Sequence, residues 1–225
     1  MDEYLKAQKR TNEEILNHKI NKDELNRFSK ADFRWADNKS KQLKRRTIKK
    51  GEVYQFEFGK NYLPEMSYEH RGLVIGQKQK LLYVLPICSY NPVKHLDVYH
   101  PTDNPESTSN YFLLKSNEFD FIDHDSILKL NDIRTVSINR ILYNQNGRID
   151  PSSDIYKQIE EMVIHKYFPE FYYNYNHNLK MMDSLNNELN GLQNAYDKLK
   201  EEKQELELKI IELQEMIKNC QDSNQ

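Results

Sequence analysis

A mainly β fold is what this sequence predicts: a small, mostly antiparallel barrel with a packing helix, flanked by an N-terminal helical arm and a C-terminal coiled coil. Three observations carry that expectation. Short strand-like blocks separated by turn residues recur between Ile48 and about Asn146. Residues 1–46 hold neither proline nor glycine and are rich in Lys, Glu, Asn and Asp. Five leucines from Leu185 to Leu213 recur every seven residues. The expected partition is an arm over 1–46, a barrel domain over 47–169 and a coiled coil over 170–225.

In the arm, apolar residues are scattered: Leu5, Ile15, Leu16, Ile20, Leu25, Phe28, Phe33 and Trp35. That spacing suits helices with a thin apolar stripe better than an independent core. The arm ends in KSKQLKRRTIKK, with seven basic residues between Lys39 and Lys50. Such a run reads as a solvated linker or as an electrostatic guide for a phosphate backbone, since clustered Lys and Arg gain by releasing counterions.

The barrel blocks are Val53–Phe58, Arg71–Gly76, Leu81–Ser89, Tyr111–Lys115, Ser126–Leu130 and Arg134–Ser137. Between the third and fourth lies Asn91–Asn110, whose three prolines mark a long surface loop. A helix is expected after Asp150, with Pro151 near its first turn and Asp154 near its N-terminus. Ile155, Ile159, Met162, Val163 and Tyr167 give that helix one apolar face, and it stops at Pro169. The run FPEFYYNYNHN (Phe168–Asn178) is expected to pack a hinge, although its rings could also stack bases.

In the last segment, Leu189, Tyr196, Lys203, Ile210 and Ile217 alternate with the heptad leucines at four-then-three spacing. With Leu at d, this favours a two-stranded parallel coil in which Lys203 costs stability but fixes the register, the alternative being pairing with the N-terminal arm or another protein. In the parallel arrangement Glu202 at g meets Glu207 at e of a second copy, a mild repulsion.

Composition excludes several classes. Charged residues make up 30% of the 225 and the mean hydropathy is −0.92, so much of the chain is solvated. Fifteen tyrosines argue against wholesale disorder. A net charge of −2 does not announce a nucleic-acid binder. Cys88 and Cys220 form neither a disulfide framework nor a metal motif. The N-terminus has no signal-peptide pattern, and the longest near-continuous apolar run, Leu81–Cys88, is far too short for a membrane helix. The expected setting is cytoplasmic and soluble. There is no P-loop, GxGxxG or GxSxG. His95, Asp97 and His100, or the later His124–Asp125 pair, fit no zinc spacing, so no metal or cofactor is expected.

Four blocks in order carry a more specific signal: GEVYQFEFG at Gly51–Gly59, EHRGLVIG at Glu69–Gly76, YVLPICSY at Tyr83–Tyr90 and IRTVSINRI at Ile133–Ile141. Together they resemble the MazF/PemK (mRNA interferase) family of small SH3-like barrel endoribonuclease toxins. That family opens on G-[DE]-[IV]-[WY], continues through R-P-[VA]-[VL]-[VI] and P-[IC]-[TC]-[ST], and places IRT[IV] before its last helix. The likeness spans roughly Ile48 to Phe168.

The resemblance implies metal-independent, sequence-specific cleavage of single-stranded RNA by attack of the 2′-hydroxyl on the adjacent phosphorus, leaving a 2′,3′-cyclic phosphate. It implies a homodimer with an RNA groove across two barrels, and a cognate antitoxin. Arg71 fills the Arg position, and its planar fork suits two phosphate oxygens. Gly72 stands where the family has proline. At the hydroxyl position Cys88 replaces the usual Thr, with Ser89 one step beyond. Alternation along a strand sends these two to opposite faces, so one of them assists or the site is degenerate. Glu65 and His70 flank the Arg strand as candidates for RNA contact. Asn131 and Asp132 occupy positions from which the family reads RNA bases, and Arg134 stands where it would contact RNA or brace the dimer. The alternative reading is a barrel without catalysis that binds RNA or protein and dimerises through its coiled coil.

Overall fold

A computed structural model describes the backbone of residues 1–40 and 47–222. Most of the basic run after Lys39 therefore lies outside the described residues. The chain divides into two compact units, Met1–Tyr167 and Phe168–Gln225.

The first unit is built on a seven-stranded antiparallel sheet, preceded by two helices and followed by one. Helix α1 spans Asp2–Asn17 and α2 spans Lys22–Ser40. The strands are β1 (Glu52–Glu57), β2 (Glu69–Lys78), β3 (Leu81–Ser89), β4 (Tyr111–Leu114), β5 (Ser126–Lys129), β6 (Arg134–Ser137) and β7 (Ile141–Arg148), and α3 spans Asp154–Tyr167. Their order is β4-β5-β3-β2-β1-β7, with β6 also paired to β3. Two features depart from the expected barrel. The end strands β4 and β7 do not pair with each other, so the sheet stays open. Counting α4 of the second unit, helical residues outnumber strand residues, so the chain is mixed α and β, not mainly β. The charge-rich ends explain the balance, because they form long helices without needing a sheet partner.

Strand β3 uses both of its edges. One pairs with β2, while the other pairs with β6 through Leu81–Val84 and then with β5 through Ile87–Ser89. Alternation sends Leu85 and Ile87 into one core with Val53, Leu73 and Leu128, and Leu82 and Val84 into a second with Tyr54, Phe56 and Val74. Helix α3 covers the first core through Tyr156, Ile159 and Val163. Gly72 sits where β2 passes closest to its neighbours: a Cβ there would lie 2.4 Å from Val84 Cγ1. A proline ring at this position would meet the same obstacle.

Helix α2 starts on an Asn21 cap, whose Oδ1 accepts from Glu24 N at 2.8 Å. The face turned to the sheet carries Leu25, Phe28, Ala31 and Arg34, whereas Phe33 and Trp35, expected in the apolar stripe, are exposed. The helix is held mainly by charge. Glu57 on β1 lies directly opposite Glu69 on β2, a like-charge cross-strand pair that is destabilising by itself. Arg34 bridges them, with Nη1 3.0 Å from Glu57 Oε2 and Nη2 2.7 Å from Glu69 Oε2. Nearby, Lys60 Nζ lies 2.6 Å from Asp32 Oδ1 and 3.8 Å from the centre of the Phe28 ring.

The second unit is one helix, α4, running 54 residues from Pro169 to Asp222. Proline at its first position suits a helix start. The expected hinge FPEFYYNYNHN forms its opening turns, where Phe171 and Tyr175 stack with centroids 6.1 Å apart. No described helix is long and apolar enough to cross a membrane.

Replacing Arg34 by Ala leaves Glu57 buried against Glu69 without a counter-charge. Because Arg34 is partly exposed, the expected loss of stability is about 1–3 kcal/mol. A second change, Glu69→Gln, is expected to recover part of it, and chemical denaturation of the three variants measures both effects.

Candidate active site

Register brings the chemistry-bearing residues to one end of the central strands. Arg71 on β2 stands opposite Gln55 of β1 and Ile87 of β3, and Ser89 of β3 stands opposite Ser126 of β5. Ser126 is fully buried. Its hydroxyl accepts from Arg71 Nη2 at 2.9 Å and donates to the carbonyl of His124 at 3.0 Å. The guanidinium is therefore aimed by a buried anchor on a neighbouring strand.

Beside it runs a second hydrogen-bonded chain. Asp123 Oδ1 lies 2.6 Å from His124 Nδ1, and Ser89 Oγ lies 2.8 Å from His124 Nε2. A carboxylate at Nδ1 fixes the proton there and leaves Nε2 as the acceptor for the Ser89 hydroxyl. Asp123 is held below the usual carboxylate range by its own backbone N–H, then by its hydrogen bond to His124 and the charges of His124 and Arg71. It stays an acceptor down to low pH. The Ser–His–Asp order is that of a proton relay.

Arg71, Ser89, Asp123 and His124 line one open cleft of about 350 Å³, together with Gln55, Glu69, His70, Ile87, Cys88 and Gln145. Cys88 also packs among apolar side chains, where burial pushes its thiol up despite the charges of Lys129 and Arg71. It is a neutral thiol near pH 7 and a poor nucleophile. His70 is lowered, first by burial and then by Arg27 and Lys129. A second cleft of about 280 Å³ shares Gln55, Glu69 and His70 with the first, and its far wall is Arg27, Lys30 and Arg34 of α2. A larger cavity, about 590 Å³, lies between α2 and the Ser137–Arg140 turn. It is lined by Trp35, Lys60 and Arg140, with Asp32 and Glu57, and has no histidine or Ser–His–Asp chain.

The remaining predicted contact residues are elsewhere. Arg134 Nε lies 2.7 Å from Asp132 Oδ1, and its Nη2 lies 3.2 Å from Glu65 Oε2. Asp132 Oδ2 also accepts from Met66 N at 2.8 Å and from Lys129 Nζ at 3.3 Å. Glu65, Asp132 and Arg134 thus tie the loop before β2 to the β5–β6 turn, and their charges are largely engaged with one another. Asn131 is exposed in that turn. None of these four lines the Arg71 cleft.

No family model matches this chain, and no curated protein matches it at a significant level. Among the described residues, no group of three or more His, Cys, Asp or Glu side chains is arranged to hold a metal. His95 and His100 have separate roles instead. His95 packs between Tyr90 and Tyr111, and buried His100 organises its loop by accepting at Nδ1 from Thr102 N and Asp103 N. Sequence reasoning missed Asp123, His124 and Ser126 as partners of Arg71 and Ser89. The available signal was a His between two acids next to a short strand, which carries no information on what β5 pairs with.

Two outcomes follow from the environments of Cys88 and His70. In a Cys220→Ser protein, alkylation of Cys88 near pH 7 is expected to be much slower than that of a free thiol. Arg71→Gln is expected to slow it further, because Arg71 lowers the thiol's pKa. For His70, the unfolded chain binds more protons than the folded one just below the ordinary histidine value of 6.5. Its contribution to stability is complete above that value and is lost as pH falls through it. Thermal melts of His70→Gln between pH 7 and pH 5 are therefore expected to vary less with pH than those of the parent protein.

Proposed function

We propose that the open antiparallel sheet of the first unit is a variant of the MazF/PemK-type SH3-like barrel, acting as a metal-independent, sequence-specific endoribonuclease on single-stranded RNA. The observation that supports this most is the meeting of Arg71 with the Ser89–His124–Asp123 chain in one open cleft. In this reading the bound phosphate draws the Ser89 hydroxyl away from His124 Nε2, and the ribose 2′-hydroxyl gives its proton to that nitrogen and attacks the adjacent phosphorus. The 2′-O–P bond forms, the P–O5′ bond breaks, and the leaving 5′-oxygen takes a proton from water in the open cleft. Asp123 stabilises the imidazolium, Ser89 hydrogen-bonds the reacting phosphate, and the Arg71 fork carries the charge that builds on the phosphorane. Ser89 suits this role better than Cys88, whose thiol is neutral and packed among apolar groups.

The adjoining cleft supports the substrate class. Arg27 and Lys30 on α2 border it, giving a single strand a cationic wall beside the reacting centre. Asn131 is the exposed candidate for reading a base, while Glu65, Asp132 and Arg134 brace the loop that flanks it. A cytoplasmic setting, a restraining antitoxin and a homodimer through the coiled coil complete the proposal. The alternative is a binding module without catalysis, favoured by the packing of Cys88 where the family carries a hydroxyl.

The test is a long unstructured RNA incubated with the full chain in excess EDTA, with fragment ends mapped. Cuts at one short motif bearing 2′,3′-cyclic phosphate are expected. Arg71→Ala is expected to lower the rate by about 10²–10³-fold and His124→Ala by about 10²–10⁴-fold. Ser89→Ala is expected to cost about tenfold, the value of one good hydrogen bond. RNA that is bound but left intact would establish the binding module instead.

A further inference from the structure

Among the described residues, helix α4 leaves its heptad face without any covering group within its own unit. Leu185, Leu192, Leu199, Ile210 and Leu213 are all exposed along it. The charged contacts around this face are local, such as Lys203 Nζ to Glu207 Oε1 at 3.5 Å. A stripe of this length and spacing needs a partner helix, and the flanking charges determine which one.

In a parallel, in-register pair, Glu202 faces Glu207 of the second copy on both sides, and the two Lys203 ammonium groups meet in the core. No attractive flanking pair offsets these repulsions, because Glu188 meets Gln193 and Lys209 meets Gln214. In an antiparallel pair, a positions face d positions, and g faces g while e faces e. Setting Lys203 opposite Leu206 of the second copy also sets Tyr196 opposite Leu213 and Leu199 opposite Ile210, each contact occurring twice by symmetry. Lys203 then lies along an aliphatic neighbour, where its methylene stem packs and its ammonium reaches water. The same register places Glu202 opposite Lys209 and Lys200 opposite Glu207, again twice each, so four opposite-charge pairs flank the core. Sliding one helix by a heptad either way destroys this. One shift puts Lys200 against Lys200 and Glu202 against Glu202, and the other puts Glu207 against Glu207 and Lys209 against Lys209.

We propose that α4 is the docking surface for a second copy of this chain in an antiparallel coiled coil, with Lys203 seated against Leu206. The orientation is set by the Glu202–Lys209 and Lys200–Glu207 pairs, and it replaces the parallel pairing that the leucine spacing alone favours. The beginnings of the two α4 helices then stand on the order of 100 Å apart at about 1.5 Å per residue. The inference rests on α4 alone and is independent of any chemistry in the first unit.

The test combines sedimentation equilibrium at low salt with a spin-label distance, both on the full-length chain. In the antiparallel pair Glu202→Lys sets two ammonium groups against each other, the introduced one and that of Lys209, and is expected to weaken dimerisation about tenfold. Adding Lys209→Glu is expected to restore it. In a parallel pair Glu202→Lys relieves a repulsion and tightens the dimer, the opposite sign. A label at Glu188→Cys, with Cys88 and Cys220 replaced by Ser, reads the coil directly. About 50 Å between labels is expected, whereas a parallel pair gives about 10–20 Å. The short distance, tightening by Glu202→Lys, or a chain that stays monomeric at tens of micromolar would each overturn the proposal.

Discussion

The pairing of β3 on both edges is the constraint from which the rest of the first unit follows. Its edge toward β2 places Arg71 beside Ile87, and its other edge, toward β5, places Ser126 beside Ser89. A one-residue slip on either side would send every side chain of the slipped strand to the opposite face. Ser126 would then leave its buried position, Arg71 would lose its anchor, and His124 would no longer meet Ser89. The two apolar cores hold this register, because it packs Leu85 and Ile87 into one and Leu82 and Val84 into the other.

Charge determines what is added to that frame. Glu57 and Glu69 oppose each other across β1 and β2, where hydrophobic packing alone would favour neutral side chains. Arg34 turns the unfavourable pair into an attachment point for α2, which brings Arg27 and Lys30 to the margin of the cleft. The same logic holds at the loop before β2, where Arg134 and Lys129 share Asp132 and so fix the backbone around Met66. In both cases ionic groups position a segment too poor in apolar residues to be held by burial. In α4, by contrast, apolar spacing supplies the drive to associate and the charges select the orientation.

What was legible in the sequence was mostly local. The six strand blocks, the helix after Asp150 and the long helical C-terminus are all present, because alternation, glycine and proline placement and heptad spacing are properties of neighbouring residues. Arg71 and Ser89 were legible as a pair worth attention because both fall within short patterned blocks. The class differs, mixed α and β instead of mainly β, because the two helical ends together outweigh the strands of the sheet. Phe33 and Trp35 belong to the thin apolar stripe that spacing predicts, yet both are exposed, because α2 turns Arg34 to the sheet instead.

The elements, their approximate limits and the residue types available for chemistry can be read from the order of residues, because these depend on interactions a few positions apart. That His124 meets Ser89 across 35 positions, and Arg71 meets Ser126 across 55, depends on how the folded strands align. The fold likewise lets Glu65 and Arg134 neutralise each other across 69 positions, so that neither stands free at the cleft. Such contacts are set by strand register and loop path, and these emerge from the packing of two cores together. No single segment encodes them.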